Sequence, residues 1–418
     1  MRRFLLFASV SLLFFLISGK APDSSQGSSG LKWAHPESVG MDSGRLSLID
    51  STVNASIAAT DIPGAVVGVV HGGKIVYGKA FGLKTVVPYE EDMTLETMFD
   101  LASVSKCVST TIAILQLVEE GKIRLVDQVR TYIPGFKPWV NPQTKKKVHI
   151  TVQDLLTHSS GIEAFLKDVP GFVEKNGEGN SQALIDYIAK DSPRSFEPGT
   201  DVLYSCFNFI VLQNILERVT GQRLCDYAQK NIFDRLGLEH TCYFPQDPVS
   251  LQSQDTALVR LCAPTEVLKD GHTLKAEVHD PTARLVNLGN SGNAGVFSNM
   301  EDLAVICQAL LGDGSWNGRR ILSPLTVKRM FTIPADNSPK VGRALGWDAY
   351  GNSPYLCGDV FNTSTTRGHT GYTGTSILLD LETSTAVIIL ANRVHPSDIG
   401  SLSRLRSTIA SIVGSSIL

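Results

Sequence analysis

The sequence lacks the short motifs of several common enzyme classes. It contains no Gly-x-Ser-x-Gly elbow, no His-Glu-x-x-His and no phosphate-binding P-loop. Its seven cysteines form no Cys-x-x-Cys pair and show no zinc-ligand spacing. The three missing motifs argue against two hydrolase classes and one nucleotide-binding class. We expect most of the cysteines to be small buried side chains, with one or two disulfides as the alternative.

Charge of one sign is also missing. The 41 acidic residues nearly balance the 38 basic ones, which leaves a net charge of -3. Without a basic surface the chain is not expected to bind nucleic acid. Hydrophobic residues make up 43% of the 418 residues and charged residues 19%, so the composition is that of a globular protein with a sizeable core.

The N-terminus has the pattern of an export signal. Two arginines precede an apolar run over residues 4–17, and small residues follow it. A membrane span needs about 20 residues, so this run favours a cleaved signal over residues 1–20, with an uncleaved anchor as the alternative. Residues 21–32 are rich in Ser, Gly and Asp and are predicted to be a flexible tether. We expect a periplasmic or cell-envelope protein.

Strand patterns occur near both ends of the remaining chain, 33–418. Residues 65–70 and 75–77 flank Gly72-Gly73 and predict a hairpin, and residues 375–379 and 386–390 predict two more strands. Helical spacing begins after Asp42 and returns in a closing helix, whose apolar residues are Ile399, Leu402, Leu405, Ile409 and Ile412.

The middle of the chain is predicted to be mostly helical, with helical periods at residues 183–188 and 209–219. The fold class is therefore α+β. One antiparallel sheet is built from both chain ends and flanked by helices. We expect a sheet lobe over about 33–124 plus 286–418 and a helical lobe over about 125–285.

A Ser-x-x-Lys pattern occurs twice, at Ser29 with Lys32 and at Ser103 with Lys106. The first lies in the polar tether, whereas the second opens the apolar segment 103–120, which is predicted to be a buried helix ending at Gly121. A spacing of three places the Lys106 amine one turn from the Ser103 hydroxyl. Burial is expected to lower the pKa of Lys106 and let it accept the serine proton.

Two further segments make the pattern specific. Tyr204-Ser205-Cys206 precedes a helical pattern, and His369-Thr370-Gly371 precedes a strand. In this order with Ser-x-x-Lys, they resemble the Tyr-x-Asn and Lys-Thr-Gly elements of the class C β-lactamase and low-molecular-weight penicillin-binding protein family. The segments 154–161 and 293–298 add support. The resemblance runs from about Trp33 to the C-terminus.

The resemblance implies roles for individual residues. Ser103 would be the acylated nucleophile, Lys106 its proton partner and Tyr204 a proton relay. The backbone N–H groups of Ser103 and Tyr372 would form the oxyanion hole. His369, Thr370 and Gly371 would border the substrate, with His369 at its anionic end.

Two departures from the family pattern concern the substrate. Cys206 replaces the amide of Tyr-x-Asn, and Asn208 is the candidate to replace that amide. His369 stands where the family has Lys, and its ordinary pKa near 6.5 predicts a partial charge at neutral pH.

The sequence therefore predicts an exported serine hydrolase that acts through an acyl-enzyme. D,D-carboxypeptidase and carboxylesterase activities are the leading forms, acting on a peptidoglycan fragment or a small acyl substrate. A β-lactamase and a penicillin-binding module that stays acylated are the alternatives. No cofactor or metal is expected, and His272, Glu277 and His279 are interpreted as solvated side chains.

Overall fold

The computed structural model of the chain describes residues 30–349 and 354–418. The predicted export signal lies outside these residues, as does most of the predicted tether. Leu31 is buried, and the carbonyl of Lys32 accepts a hydrogen bond from the Ile75 N–H at 3.1 Å. Packing therefore begins before Trp33, and the end of the predicted tether belongs to the folded part. None of the described helices combines the length and apolar character that a membrane crossing needs.

Helices are spread over the whole described chain. The α-helices of the described residues are α1 Ser43–Leu46, α2 Leu48–Ala58, α3 Ile112–Glu119, α4 Val152–Leu156, α5 Val169–Asn176, α6 Ser181–Lys190, α7 Cys206–Thr220, α8 Leu224–Ala228, α9 Asp234–Leu236, α10 Pro248–Gln252, α11 Thr256–Leu261, α12 Pro281–Leu285, α13 Met300–Leu311, α14 Pro324–Phe331, α15 Pro354–Cys357 and α16 Ser403–Ser415. Helices α4 to α12 lie between residues 125 and 285, and α6 and α7 contain the two predicted helical periods.

Within residues 30–349 and 354–418, the strands form one large sheet and three small ones. The strands of the described residues are β1 Gly64–His71, β2 Lys74–Thr85, β3 Glu91–Asp92, β4 Phe99–Asp100, β5 Trp139–Val140, β6 Lys147–Val148, β7 Cys242–Tyr243, β8 Val296–Ser298, β9 Ser315–Trp316, β10 Arg319–Arg320, β11 Asp348–Ala349, β12 Thr366–Thr370, β13 Ser376–Asp380 and β14 Thr385–Ala391. The small sheets are β5 with β6, β9 with β10, and β4-β8-β7.

The large sheet joins the two ends of the chain. Its strand order is β11-β12-β13-β14-β1-β2-β3, and its pairs are antiparallel. The join is the β14–β1 pair, which runs from Ala65 opposite Ala391 to His71 opposite Thr385. This arrangement confirms the predicted α+β fold with an antiparallel sheet built from both ends.

The hairpin β1–β2 follows directly from the sequence. Gly72 and Gly73 form its turn with φ of 56° and 76°. A two-residue turn that matches the strand twist needs positive φ at both positions, which glycine adopts without steric cost. The predicted hairpin is confirmed.

The large sheet buries a different cluster on each face. Val66 and Leu390 belong to the larger cluster, which also contains most of the buried helical residues. Val67 and Ile389 belong to a second cluster with Ile409 of α16. Because successive side chains in a strand point to opposite faces, the central strands contribute to both clusters. Each fully buried side chain of this kind stabilises the fold by about 1.5–3 kcal/mol.

The closing helix is confirmed, but its predicted start is wrong. Helix α16 begins at Ser403, and Ile399 is 81% exposed. The chain before the helix passes Asp61 so closely that a Cβ on Gly400 would lie 1.9 Å from the Asp61 carbonyl oxygen. This close approach keeps the segment around Gly400 in a loop, so that helical spacing alone misplaces the helix start.

The predicted buried helix over residues 103–120 is present but is not uniform. A 3₁₀ turn spans Ala102–Val104, a π-helical segment spans Lys106–Thr111, and α3 follows. Every residue of the π-helical segment is buried. Such segments within helices occur frequently at functional sites, so the N-terminal end of the segment 103–120 is a candidate for one.

Candidate active site

The turn that presents Ser103 is strained and held by a buried carboxyl group. Ala102 has φ of 45°, a left-handed conformation that is costly for alanine. Asp100 Oδ1 accepts the N–H of Ala102 at 2.8 Å, and Oδ2 accepts the N–H of His279 at 2.7 Å. Burial raises the pKa of Asp100 above its ordinary value. Asp100 therefore fixes the turn, a role that sequence reasoning missed because no motif marks it.

Lys106 is fully buried and directs its amine at Ser103. Its Nζ donates to Ser103 Oγ at 2.9 Å and to the carbonyl of Asn293 at 2.8 Å. A third, longer contact of 3.7 Å reaches Cys206 Sγ. The three donors of an ammonium group thus all have partners, and the amine is held beside the hydroxyl.

Tyr204 lies on the other side of this pair, immediately before α7. Lys106 Nζ lies 5.1 Å from the centre of the Tyr204 ring. Lys106 and Ser103 are also close enough to the phenol to act on its pKa, both in the lowering direction. The structure therefore brings together a hydroxyl, an amine and a phenol from two distant parts of the chain, an arrangement in which a proton can pass among all three.

The predicted direction of the Lys106 pKa shift is wrong. Burial alone lowers the pKa of this amine, but the ionisable Cys206 and Tyr204 beside it, together with Asp280, raise it by more, so that it lies above the ordinary value. Removal of the phenol hydroxyl from water also raises the pKa of Tyr204, although 37% of the residue is exposed. Both groups are therefore protonated at neutral pH, and a base forms only when this pair loses one proton.

A pH dependence follows from these two shifts. Since both pKa values are raised, the deprotonated form of the Lys106–Tyr204 pair becomes more abundant as pH increases. We expect kcat/KM for an uncharged ester to rise from pH 6 to pH 9 with a limiting slope of about one log unit per pH unit. Initial rates in overlapping buffers, corrected with Ser103→Ala, measure this. A profile that is flat from pH 6 upward would contradict it.

The end of β12 is joined to the Ser103 turn. Thr373 Oγ1 donates to the Asp100 carbonyl at 2.7 Å, and Thr375 Oγ1 donates to the Leu101 carbonyl at 2.9 Å. A Cβ on Gly371 would lie 2.5 Å from the Leu101 carbonyl oxygen, so only glycine permits this approach. These contacts bring the predicted segment His369-Thr370-Gly371 to the site.

His369 is placed at the site but is not a cation there. It is 2% exposed, and its Nδ1 donates to the Thr370 carbonyl at 2.8 Å. Burial, with Arg343 and Lys106 nearby, holds its pKa well below the ordinary value. The expected partial charge at neutral pH is therefore wrong, because the burial of the ring and the proximity of Arg343 were not foreseeable from the sequence.

Tyr372 follows Gly371, and contacts with neighbouring side chains hold it in place. Its carbonyl accepts from Arg393 Nε at 2.9 Å, and its hydroxyl donates to Asp398. The Arg393 guanidinium lies 4.7 Å from the ring centre, and the His279 ring stacks at 5.6 Å. These contacts fix the peptide unit of Tyr372 close to the Ser103 turn.

These groups surround a cavity of about 500 Å³. It is lined by Ser103, Val202, Tyr204, Arg343, Asp348, His369, Thr370, Gly371, Tyr372, Arg393 and Arg406. Three arginines and one carboxylate line the cavity, but Arg343 pairs with Asp348 and Arg393 pairs with Asp398, so the excess of positive charge is small. No motif in the sequence marks the arginines. The cavity therefore suits a substrate with an anionic group.

Asn208 does not line this cavity. It is fully buried on α7, where its Oδ1 accepts from Ser160 Oγ at 2.6 Å and its Nδ2 lies 3.2 Å from His158 Nδ1. Its amide is thus engaged in the interior and does not take the place of the amide missing at Cys206.

The described residues contain no group of three His, Cys, Asp or Glu side chains that could hold a metal ion. His272 pairs with Glu277 at 2.7 Å, and His279 lies 3.3 Å from Glu266. No disulfide joins two cysteines in the described part of the chain. The buried ones are Cys107, Cys225, Cys262, Cys307 and Cys357.

Comparison with known proteins agrees with this geometry. The Beta-lactamase family model matches residues 49–408. An N-acetylmuramyl-L-alanine amidase of Bacillus subtilis (strain 168) is 32% identical over 385 residues, with 87% of this chain and 84% of that protein covered. A protein of Escherichia coli (strain K12) named "Putative D-alanyl-D-alanine carboxypeptidase" is 32% identical over 384 residues, with 86% and 85% covered.

Among solved structures, EstCE1, a hydrolase with promiscuous acyltransferase activity, superposes with a TM-score of 0.68 at 23% identity, covering 89% of this chain and 99% of that one. This likeness concerns the fold. The family match and the two relatives extend over most of the sequence. The chain therefore belongs to the beta-lactamase family and is a serine hydrolase.

Proposed function

We propose that this chain is a D,D-carboxypeptidase-like hydrolase that forms an acyl-enzyme on Ser103. The observation that carries the proposal is the contact of Lys106 Nζ with Ser103 Oγ at 2.9 Å, beside Tyr204 and at the wall of a cavity. A serine hydroxyl is a weak nucleophile unless a neighbouring base takes its proton, and the Lys106–Tyr204 pair is positioned to do so.

Acylation then proceeds in balanced steps. Once the Lys106–Tyr204 pair has lost one proton, it accepts the proton of Ser103 as Oγ bonds to the substrate carbonyl carbon. The backbone N–H groups of Ser103 and Tyr372 stabilise the oxyanion. When the carbonyl carbon–leaving-group bond breaks, Tyr204 donates a proton to the leaving amine. In deacylation a water molecule replaces the amine, and the protons return in the reverse order.

The charge of the cavity supports a substrate with a free carboxylate. Since His369 is neutral, the arginines of the lining would have to bind such a group, in competition with the pairs Arg343–Asp348 and Arg393–Asp398. Arg343 is almost fully buried, and its guanidinium lies 5.9 Å from the Tyr204 ring centre. A guanidinium binds a carboxylate bidentately, and removal from water strengthens this contact. The carboxypeptidase named among the relatives would act on a peptide with such an end.

Carboxylesterase activity is the second candidate, and Cys206 is the observation that favours it. The thiol lies 3.7 Å from Lys106 Nζ, and Asn208 is turned into the interior. No amide from this segment is therefore offered to an acylamino side chain. A simple acyl group has no acylamino side chain, so its binding does not depend on such an amide.

A substrate panel separates these functions. We expect kcat/KM for a peptide ending in D-Ala-D-Ala to exceed that for the same peptide with an amidated C-terminus by about 100-fold, since one charged hydrogen-bonded contact is worth about 1.5–3 kcal/mol. Equal rates would contradict the carboxypeptidase proposal. Turnover of p-nitrophenyl esters alone would indicate the esterase, rapid hydrolysis of nitrocefin a β-lactamase, and a stable penicillin adduct a binding module.

We also propose export to the cell envelope, where a peptidoglycan fragment would be available. The arginines and the apolar run of residues 4–17 support it. N-terminal sequencing of the protein from a cell-envelope fraction tests this. A protein confined to the cytoplasm would contradict it.

A further inference from the structure

We propose that His158 is a positioning residue that holds Tyr204 beside Ser103 and Lys106. The inference rests on the proposed function and adds a residue to its machinery. His158 belongs to the segment 154–161, which the sequence singles out without assigning any of its side chains a task. It lies in the loop that follows α4, and it is fully buried.

His158 accepts two hydrogen bonds from the residues on either side of Tyr204 in the chain. The carbonyl of His158 accepts the N–H of Leu203 at 3.0 Å, and Nδ1 of its ring accepts the N–H of Ser205 at 3.1 Å. The residues before and after Tyr204 are thus bound to the same histidine. Little freedom remains in the backbone that carries the phenol, because the peptide unit that follows Tyr204 and the one that precedes Leu203 are both fixed.

The imidazole also touches the phenol ring. The ring centres of His158 and Tyr204 are 4.4 Å apart with 36° between their planes, and the Phe209 ring lies 5.2 Å away on α7. His158 therefore fixes both the backbone and the ring of Tyr204. A shift of the phenol of about 1 Å would be enough to slow proton transfer by about 100-fold.

The loop is built to hold His158 in this orientation. His158 has φ of 54°, a left-handed conformation that histidine and asparagine adopt more readily than most residues. Since Nδ1 accepts hydrogen bonds, the ring carries its proton on Nε2. Asn208 lies 3.2 Å from the same Nδ1 and is itself fixed by Ser160, so the ring cannot turn without breaking this network.

Matched substitutions test this role. In His158→Asn the side-chain oxygen replaces Nδ1 as acceptor for Ser205, whereas in His158→Gln the amide extends past that position. With p-nitrophenyl acetate we expect kcat of His158→Asn to stay within about 5-fold of the wild type and that of His158→Gln to fall about 100-fold. KM should change less than about 3-fold in both, because binding groups are untouched.

A double-mutant cycle with Tyr204→Phe shows whether the effect passes through Tyr204. In that background neither His158 substitution should reduce kcat by more than about 2-fold, because the group being positioned is gone. Thermal unfolding of each variant reports its folding. If His158→Gln does not fold, His158→Ala, which also removes the acceptor for Ser205, takes its place in the cycle.

Three results would overturn the proposal. They are equal kcat values for the wild type and both variants, equal losses in the two variants while both fold, and losses of the same size with or without the Tyr204 hydroxyl. In each case an active wild type labelled at Ser103 leaves the proposed function intact. A folded wild type that neither hydrolyses the ester nor labels at Ser103 contradicts the proposed function itself, and the role of His158 with it.

Discussion

Ser103→Ala is expected to reduce turnover by about a millionfold, the loss seen when a serine hydrolase loses its nucleophile. The substitution removes the oxygen that accepts the Lys106 hydrogen bond at 2.9 Å and leaves the strained turn at Ala102 in place. Without that oxygen no acyl-enzyme forms, and any remaining acceleration comes from binding and the oxyanion hole alone. Labelling with a fluorophosphonate should disappear together with turnover.

The chain offers a matched control for this experiment. Ser29 is the serine of the other Ser-x-x-Lys pattern, so Ser29→Ala removes the same atoms from a serine with the same spacing to a lysine. We expect the kcat and the labelling of this control to equal those of the wild type. Ester hydrolysis retained in Ser103→Ala, after purification that excludes a contaminating esterase, would remove Ser103 from the mechanism.

Tyr204→Phe is expected to lower kcat by about 10³-fold, within the range for loss of a general acid–base group. The substitution deletes the hydroxyl that interacts with Lys106 and Ser103 and keeps the ring against His158. Proton transfer to the leaving group is lost, whereas the shape of the cavity is kept. KM should therefore change little, and the loss should be smaller for an ester with an acidic leaving group than for a peptide.

Tyr132→Phe is the control for Tyr204→Phe. The Tyr132 hydroxyl donates to Asp127 Oδ2 at 2.6 Å, and Tyr132 is absent from the cavity lining. Losing this bond costs about 1 kcal/mol of stability and leaves kcat unchanged. Comparable kcat losses in the two variants would mean that the effect of Tyr204→Phe is structural.

Local sequence was sufficient for much of the fold. Gly72-Gly73 between two β-branched runs determines the hairpin, because glycine adopts the positive φ that this turn needs at both positions. The buried helix is also predicted locally, from the apolar residues of the segment that ends at Gly121. The π-helical Lys106–Thr111 within it was not predictable, since hydrophobic spacing does not distinguish it from an α-helix.

The site was predictable only where a motif marks it. Ser103, Lys106, Tyr204 and His369 come from such motifs, and their roles stay proposals that the variants test. Arg343 and Asp100 have no motif and reach the site only through folding.

The charge states were the least predictable part. The pKa of Lys106 moves up instead of down, and that of His369 moves far below its ordinary value. The direction for Lys106 depends on Cys206 and Tyr204, which are distant in the chain, and the direction for His369 depends first on burial of its ring and then on Arg343 and Lys106. No short segment of the sequence contains that information.

The division into a sheet lobe over about 33–124 plus 286–418 and a helical lobe over about 125–285 stays a prediction.

Time-resolved mass spectrometry of the intact protein with a penicillin or a D-Ala-D-Ala peptide tests the central claim most directly. We predict one adduct per chain with the mass of the acyl group, mapped by peptide digestion to Ser103. It should form faster as pH rises and be absent from Ser103→Ala. Turnover without any adduct, or an adduct on another residue, would contradict the account.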